Sequence, residues 1–305
     1  MFESVIETSP LVSVIMNCYN GEKYLREAID SVISQTYTNW EIIFWDNQST
    51  DSSAKIVKSY SDKRIKYFYA PEHTVLYAAR NNAMGKVEGD YIAFLDCDDW
   101  WENKKLEIQI KLFDNENVGL VYSNVFLHNP KKNKKKKIFK NLPEGEIYGD
   151  LLKKYCIVLS SIIISKRAIY LIEKKFDTRF QIIGDLDLVL RLTTISAAKC
   201  VKEAVVNYRW HGNNMSIKQV DKKIFELKIL IKDLLQNKKI AEHKNFRFLY
   251  SLIQDVKIEE LLKKKQRLKV IKELLNYPVC FKKLKYIFII ILPYKITNAF
   301  RKFQT

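Results

Sequence analysis

Three aspartates lie within four positions in the stretch FLDCDDW, where Asp96, Asp98 and Asp99 directly follow the apolar run YIAFL. Carboxylates this close repel one another, and one of them is pushed towards protonation unless a cation lies between them. Mg²⁺ and Mn²⁺ prefer oxygen ligands, and Mg²⁺ is often bound by one or two carboxylates together with phosphate oxygens. The simplest interpretation is a divalent-cation site that holds a phosphorylated ligand. The alternative is a strand end capped by solvated acids.

The elements that must position these aspartates show a regular alternation. Short apolar runs alternate with segments of helical periodicity between Leu11 and Ser123. The runs are LVSVIM, EIIFW, IKYFY, YIAFL and VGLVYS. This pattern predicts βαβ units, and therefore an α/β fold with a mainly parallel sheet flanked by helices. A mixed sheet built from the same elements is the alternative.

Polar side chains follow several of the predicted strands directly. In an open parallel sheet, ligands bind beyond the carboxyl ends of the strands. Besides the three aspartates, the residues at these positions are Asn17 and Tyr19 after the first strand, and Asp46 and Asn47 after the second. We therefore expect all of them to lie on one rim of the sheet and to form a single ligand site.

Three stretches, taken together and in order, are similar to the inverting nucleotide-sugar glycosyltransferases of family 2, which have the GT-A fold. They are VSVIMNCYNGEKYLREAIDSVISQTYTNWEIIFWDNQSTD, GDYIAFLDCDDWWENKKL, and IGDLDLVLRL with the later YRWHGNNMS. The resemblance covers roughly residues 10–217. It implies an enzyme of the type that builds bacterial surface polysaccharides, such as capsule or lipopolysaccharide.

The resemblance implies roles in donor binding for the first strands. Asn17 and Tyr19 would line the nucleotide base pocket. Asp46 matches the first acid of a turn that commonly reads DDGSTD and binds the base and ribose. This chain has DNQSTD, with Asn47 at the second acid. An amide oxygen can still accept a hydrogen bond from a uracil N–H, so a UDP-sugar remains the expected donor while the identity of the base stays open.

The same resemblance implies a metal and diphosphate site. Asp96 would lie near the ribose and the metal, and Asp98 would coordinate Mn²⁺ or Mg²⁺ directly, with Asp99 in support. His211 would lie near the metal or the diphosphate, or it is a loop histidine without a role.

Two arginines would face the diphosphate, because a guanidinium group matches phosphate geometry. They are Arg80, in the segment AARNN, and Arg209. Trp100 and Trp101 follow the aspartates, and they would form a wall for an acceptor sugar or pack in the core.

The third stretch would supply the general base. Alignment of GDLDLVLRL with the family's EDYDLWLRL places that role on Asp185, with Gly184 where a glutamate usually stands and Asp187 as the second candidate. A sugar hydroxyl is a poor nucleophile until its proton is accepted. The implied reaction is transfer of a hexose or N-acetylhexosamine, with inversion, to a hydroxyl of a glycan or lipid-linked acceptor. A first-turn acid that stabilises a helix is the alternative for Asp185.

The net charge of +17 is concentrated towards the C-terminus. Residues 218–305 contain 22 Lys and Arg against 8 Asp and Glu, on amphipathic stripes without strand signals. We therefore expect a catalytic domain at 1–217 and a basic helical tail at 218–305. Such a tail suits the surface of an anionic membrane. Packing on the catalytic domain or a dimer contact is the alternative. The charged stretch NPKKNKKKKIFKNLP at 129–143, which contains the lysine run 131–137, predicts a surface loop.

Two other functions compete with sugar transfer. A sugar-phosphate nucleotidyltransferase usually carries a Gly-rich phosphate loop, and NCYNGEKY has one glycine. A non-catalytic membrane- or nucleic-acid-binding protein is the other; the chain has no recognisable base-reading motif, so we expect no nucleic-acid partner.

The expected location is the cytoplasm, with attachment to the inner face of the plasma membrane. Five cysteines without paired spacing indicate a reducing compartment. We find no pattern of a signal peptide, and no apolar run reaches the ~20 residues of a spanning helix.

Overall fold

The computed structural model describes residues 9–130, 134–211, 214, 218–279 and 281–291. The chain forms two compact units. The first contains Met1–Leu151 and Tyr155–Asn214, and the second contains Leu152–Lys154 and Met215–Thr305. The predicted boundary at residue 217 lies outside the described residues, so the limits 1–217 and 218–305 stay a prediction.

Nine strands form one sheet within the described part of the first unit. They are β1 (Val12–Cys18), β2 (Trp40–Asp46), β3 (Ile65–Tyr69), β4 (Tyr91–Phe94), β5 (Trp100–Trp101), β6 (Val118–Asn129), β7 (Lys134–Lys137), β8 (Ile163–Ser165) and β9 (Ala197–Arg209). The order is β3-β2-β1-β4-β8-β6-β9-β5, and β7 pairs with β6.

The sheet has a parallel half and a mixed half. Strands β1 to β4 pair in parallel. Beyond them β8 runs antiparallel to both β4 and β6, β9 runs parallel to β6, and β5 and β7 are antiparallel to their partners. The α/β class is therefore confirmed. The sequence does not show the direction of the later strands, because a strand buried on both faces reads as an apolar run in either direction.

Helices cover the sheet of the first unit. They are α1 (Glu22–Ile33), α2 (Ser53–Lys58), α3 (Leu76–Met84), α4 (Lys105–Ile110), α5 (Tyr148–Lys153), α6 (Lys166–Leu171) and α7 (Gly184–Thr193). Helix α1 shows why they form, since Leu25, Ala28, Ile29 and Val32 lie three and four residues apart and are all fully buried. They pack against β1 and β2 in the main core. This packing fixes the carboxyl ends of β1, β2 and β4, where the polar residues follow.

Part of the lysine run differs from the predicted surface loop. Residues 131–133 lie outside the described residues, and Lys134–Lys137 form the edge strand β7. All four lysines are exposed. A strand whose side chains are all exposed can carry charge at every position, and lysines on an edge strand discourage pairing with another chain.

The described part of the second unit is helical. Its helices are α8 (Val220–Leu234), α9 (Lys238–Ala241), α10 (Arg247–Lys263), α11 (Arg267–Leu275) and α12 (Phe281–Ile291). The last three share a small core of Ile258, Leu262, Val270, Leu274, Tyr277 and Tyr286. Within the described residues, no helix has both the length and the apolar character needed to cross a bilayer.

Candidate active site

The three aspartates converge in the loop that joins β4 to β5. Carboxylate oxygens of Asp96, Asp98 and Asp99 all lie within 4.8 Å of one another. Burial, and then the charge of Asp96, raises the pKa of Asp98. Burial and the two neighbouring carboxylates raise the pKa of Asp99 well above its usual value. The cluster is thus an acidic site whose mutual repulsion a cation would relieve, and its all-oxygen donor set fits Mg²⁺ or Mn²⁺.

Asp99 supports this loop from inside the protein. It is 1% exposed, and it accepts hydrogen bonds from Ser160 Oγ at 2.7 Å and from the backbone N–H of Arg209 at 2.9 Å. These bonds join the loop to β9 and to the turn at Leu159–Ser161. Asp96 and Asp98 have side chains 38% and 34% exposed, so they are the two carboxylates that can reach a ligand.

Arg80 approaches Asp96 from helix α3. The guanidinium Nη2 lies 2.5 Å from Asp96 Oδ1, and the arginine side chain is 6% exposed. A buried guanidinium must be paired, and Asp96 is its ion-pair partner. Arg80 therefore lies at the acidic cluster, and its predicted contact with a diphosphate stays a prediction.

His211 reaches the cluster from the segment after β9. Its Nε2 lies 2.9 Å from Asp98 Oδ2, and its ring stacks on Tyr24 with centroids 5.7 Å apart. Its backbone N–H donates to Asn214 Oδ1, and Asn214 Nδ2 donates to the carbonyl of Arg209. Residues more than 110 positions apart in the chain are thus brought together, with the imidazole beside the second carboxylate.

Arg209 lies beneath the aspartate loop. Its guanidinium is held between the rings of Tyr24 and Trp100, at 4.2 and 4.4 Å from their centroids. Its Nε donates to the carbonyl of Asp98 at 2.9 Å, and its Nη2 forms an ion pair with Glu27. The contacts hold the main chain at Asp98 in place, which suits a positioning residue.

Replacement of Arg209 by lysine is expected to lower the free energy of unfolding by about 1.5–3 kcal/mol, because an ammonium group cannot make the Nε bond to Asp98 or stack between two rings. Urea denaturation measures the change. Arg167→Lys is the control, since its ion pair with Glu116 is exposed and such pairs contribute little. Equal stability of the two variants would contradict this role.

Asp46 and Asn47 organise the turn after β2. Asp46 is fully buried, and its oxygens accept hydrogen bonds from the backbone N–H of Ser49 and the hydroxyl of Tyr67, both at 2.7 Å. Asn47 donates to the carbonyl of Thr74 at 2.7 Å and accepts from its N–H at 3.2 Å. The asparagine thus ties the turn to the segment before α3, a link in which its amide nitrogen donates.

Asn17 and Tyr19 lie at the end of β1. Both polar atoms of the Asn17 amide are buried and have no hydrogen-bond partner among the described residues. Leaving such an amide unsatisfied costs free energy, so a polar ligand at this point would stabilise it. Tyr19 is 55% exposed, and its ring centroid lies 4.4 Å from that of His73. An exposed aromatic pair and an unsatisfied amide two residues earlier in the chain are features that suit a nucleotide base.

The two candidate bases on α7 have different surroundings. Asp185 lies in the first turn and is partly exposed, with Tyr77 Oη 3.4 Å from its Oδ1. Asp187 is 5% exposed and its Oδ2 is bound by Arg191, with Nη2 at 2.6 Å and Nε at 3.1 Å. A carboxylate held by an i,i+4 arginine is a structural group, so the geometry favours Asp185 as the group that meets a substrate.

The two tryptophans have different surroundings: Trp101 lies in the core and Trp100 lies at the candidate site. Trp101 is 3% exposed, and its indole N–H donates to the carbonyl of Ser160, which makes it a core residue. Trp100 is partly exposed and stacks on Arg209. Its other ring contact is edge-on with His128.

Several contributors were not foreseen from the sequence. Tyr24 and Glu27 hold Arg209, Ser160 holds Asp99, and Tyr77 contacts Asp185. Tyr24 and Glu27 have a detectable signal, since they lie three residues apart on α1 and so share one face of that helix. Ser160 has none, because it follows an apolar segment without any motif.

The comparison with protein families gives a match over residues 13–172 to the family described as glycosyl transferase family 2. Among curated relatives, the glucosyltransferase WfaP of Escherichia coli, named for UDP-Glc and α-D-GlcNAc-diphosphoundecaprenol, is 33% identical over 226 residues, or 72% of this chain and 85% of WfaP. An uncharacterised glycosyltransferase of Haemophilus influenzae is 42% identical over 117 residues, or 38% of this chain and 47% of that protein.

Solved structures share the fold. S. aureus TarS 1–349 in complex with UDP-GlcNAc matches with a TM-score of 0.63 and 15% identity, over 88% of this chain and 81% of that one. The mannosyltransferase PcManGT of Pyrobaculum calidifontis, in complex with GDP-Man and Mn²⁺, matches with a TM-score of 0.58 and 15% identity, over 98% and 85%. At this identity the likeness shows the GT-A fold alone.

Proposed function

Because this chain belongs to glycosyl transferase family 2, we propose that it transfers a hexose or N-acetylhexosamine from a UDP-sugar to a hydroxyl of a glycan or lipid-linked acceptor, with inversion. One observation carries the proposal. Helix α3 links the acidic cluster to the candidate base, since Arg80 pairs with Asp96 and Tyr77 contacts Asp185. The two halves of a transfer reaction, donor binding and activation of an acceptor, are thus served by one helix.

The donor class is supported by the site and by the relatives. WfaP is named for UDP-Glc, and the TarS structure contains UDP-GlcNAc. The unsatisfied amide of Asn17 and the Tyr19–His73 ring pair offer hydrogen bonding and stacking to a base. Since PcManGT was solved with GDP-Man, a guanine nucleotide is the comparison that tests the choice of base.

The acceptor is proposed from the relatives. WfaP is named for transfer to a GlcNAc-diphosphoundecaprenol, a sugar on a lipid carrier. A lipid carrier of this kind holds the acceptor sugar, with its hydroxyl groups, at a membrane surface. We therefore place the reaction in polysaccharide biosynthesis, on the cytoplasmic face of the membrane.

The proposed chemistry is a single displacement at the anomeric carbon. Asp96 and Asp98 would hold a divalent cation, with His211 beside Asp98. A bound cation would neutralise charge on the donor diphosphate. Asp185 accepts the proton of the acceptor hydroxyl while the new C–O bond forms and the bond to the UDP oxygen breaks. Arg80 and Arg209 hold the aspartate loop in place.

The test is a thermal-shift panel of UDP-glucose, UDP-GlcNAc and GDP-mannose, each with and without Mn²⁺. A ligand that binds only the folded protein raises its apparent stability, by about 2.7 kcal/mol at a hundred times its Kd. We expect a UDP-sugar to stabilise the protein in a Mn²⁺-dependent way, and turnover to follow. Stabilisation by GDP-mannose alone would refute the UDP assignment, and no effect of any nucleotide-sugar would refute the donor site.

The second unit has apolar stripes that suit a membrane surface. On α11, Leu268, Ile271 and Leu275 are 81%, 44% and 75% exposed, at spacing i, i+3, i+7. On α12, Leu284, Phe288 and Ile291 are 62%, 56% and 74% exposed, at spacing i, i+4, i+7. Large exposed apolar stripes on helices rich in lysine fit the surface of an anionic bilayer. The proposed partner is therefore the inner leaflet.

Leu284→Ser/Phe288→Ser is expected to weaken binding to phosphatidylglycerol-containing vesicles by at least about tenfold, since two large apolar side chains no longer enter the interface. Co-sedimentation measures it, with phosphatidylcholine vesicles as the neutral reference. The control is Tyr170→Ser/Leu171→Ser, an equally exposed apolar pair in the first unit. Wild-type protein that does not bind anionic vesicles in low salt would refute the proposal.

A further inference from the structure

Tyr77 occupies the space in which a side chain at position 184 would begin. A Cβ built on Gly184 would lie 2.5 Å from Cε2, 2.6 Å from Cδ2 and 2.7 Å from Cζ of the Tyr77 ring. Such distances are well inside van der Waals contact. Gly184 does not have a positive φ, so the requirement for glycine is space rather than backbone conformation. The Tyr77 ring therefore fills the space that any side chain at position 184 would need.

The Tyr77 hydroxyl makes two contacts with Asp185. It accepts a hydrogen bond from the backbone N–H of Asp185 at 3.2 Å, and it lies 3.4 Å from Oδ1 of the carboxylate, to which it donates. The residue before α7, Ile183, has no side chain that can cap the helix. The first N–H groups of a helix lack partners within it, so Tyr77 supplies a cap from another part of the fold.

The tyrosine is held rigidly and remains a donor. Its ring is 2% exposed and stacks on Phe176 with centroids 5.0 Å apart. Burial, and then the charge of Asp185, raises the pKa of Tyr77 far above its usual value, so the hydroxyl stays protonated at neutral pH and can donate. A fixed, protonated hydroxyl orients a carboxylate and favours its ionised form.

Helix α3 also places this tyrosine relative to the donor site. Tyr77 and Arg80 are three residues apart and so share a face of the helix. The Arg80 guanidinium lies 5.2 Å from the Tyr77 ring centroid and pairs with Asp96. The helix therefore fixes the distance between the acidic cluster and Asp185.

We propose that Tyr77 is the positioning residue of Asp185. From α3 it orients the carboxylate and keeps it ionised. Gly184, next to Asp185, has no side chain that could do this. The inference rests on the proposed function, in which Asp185 is the general base. Because Tyr77 is buried, it acts on the reaction only through Asp185. The pair Tyr77 and Gly184 is then one device, because the ring fits only beside a glycine.

The test is Tyr77→Phe, which keeps the ring and removes the hydroxyl. With UDP-glucose and UDP-GlcNAc as donors and a synthetic GlcNAc-diphosphoryl lipid as acceptor, kcat is expected to fall about tenfold, with the KM for the donor unchanged. Loss of a hydrogen bond to the carboxylate raises its pKa, so the acid limb of the kcat–pH profile is expected to move to higher pH.

The control is Tyr122→Phe, which removes a buried hydroxyl bonded to the carbonyl of Pro143 at 2.6 Å. It is expected to lose stability without a change in the pH profile. A Tyr77→Phe enzyme with the wild-type kcat and pH profile would overturn the inference and leave the proposed function standing. A wild-type enzyme that turns over neither donor would overturn the proposed function itself.

A second pair of variants tests the steric part by stability alone. Gly184→Ala is expected to lower the Tm strongly, because its Cβ meets the Tyr77 ring. In the Tyr77→Ala background the same substitution is expected to have little further effect. Additive losses in the double variant would show that ring and glycine are independent, and would overturn the claim that they form one device.

Discussion

Asp185→Asn is expected to lower kcat by about 10²–10⁴-fold, because an amide cannot accept the proton of the acceptor hydroxyl. Asparagine has nearly the same shape, and its amide oxygen can still accept the hydrogen bond from Tyr77 that the carboxylate accepts at 3.4 Å. Binding of the nucleotide-sugar is therefore expected to persist. Release of UDP in a steady-state assay measures kcat, and Mn²⁺-dependent thermal shift measures binding of the donor.

Asp187→Asn is the matched control for this prediction. The two aspartates lie two residues apart in the first turn of α7, and Arg191 forms an ion pair with the second. Since Asp187 is buried and paired, its replacement is expected to lower the free energy of unfolding by about 1–3 kcal/mol while kcat stays within about tenfold of wild type. If Asp187→Asn stops turnover and Asp185→Asn does not, the assignment of the base is reversed.

The fold class was predictable because buried strands and amphipathic helices have different periodicities. The runs that became β1, β2, β3 and β4 follow the alternation closely, and their carboxyl ends carry the polar residues. The direction of β8 and the pairing of β6 with β9 depend on contacts between distant segments. No local pattern encodes such contacts, so the mixed half of the sheet could not be derived.

The acidic cluster was predictable because the end of a buried strand can be recognised in the sequence. The contacts that Arg209 makes were not predictable. Arg209 was singled out in a stretch that resembles the family, and the affinity of guanidinium for phosphate predicted that it faces the diphosphate. The structure surrounds it with Tyr24, Trp100 and Glu27, which makes it a support of the loop. The partner that a buried guanidinium finds depends on how distant elements pack, here α1 against β5 beside the aspartate loop.

The structural role of Gly184 could not be predicted from the sequence either. From the sequence it is a departure from a motif, with the glutamate missing. In the folded chain it is the place where the Tyr77 ring lies, more than 100 residues distant in sequence. The reason for glycine at position 184 becomes clear only when the position of the Tyr77 ring is known.

Asp98→Asn is expected to abolish the Mn²⁺-dependent stabilisation by UDP-sugars. Loss of an outer-shell partner of a metal ligand typically costs 10–100-fold in affinity, so loss of a direct carboxylate ligand is expected to cost about 100-fold or more. The side chain of Asp98 is 34% exposed and lies beside His211, in the position from which it can reach a cation. Thermal shift across a Mn²⁺ titration at fixed UDP-glucose or UDP-GlcNAc measures the loss.

The stability of Asp98→Asn without metal distinguishes a metal ligand from a residue that only supports the structure. Burial and the charge of Asp96 raise the pKa of Asp98 in the folded protein, so its ionised form opposes folding at neutral pH. Asparagine removes that charge, and the variant without metal is expected to be at least as stable as wild type. Asp114→Asn, a surface acid paired with Lys199, is the control and should keep the full response to Mn²⁺. An Asp98→Asn protein that is less stable without metal, yet still responds to Mn²⁺, would mean that Asp98 is a structural partner of His211 and that the cation lies elsewhere.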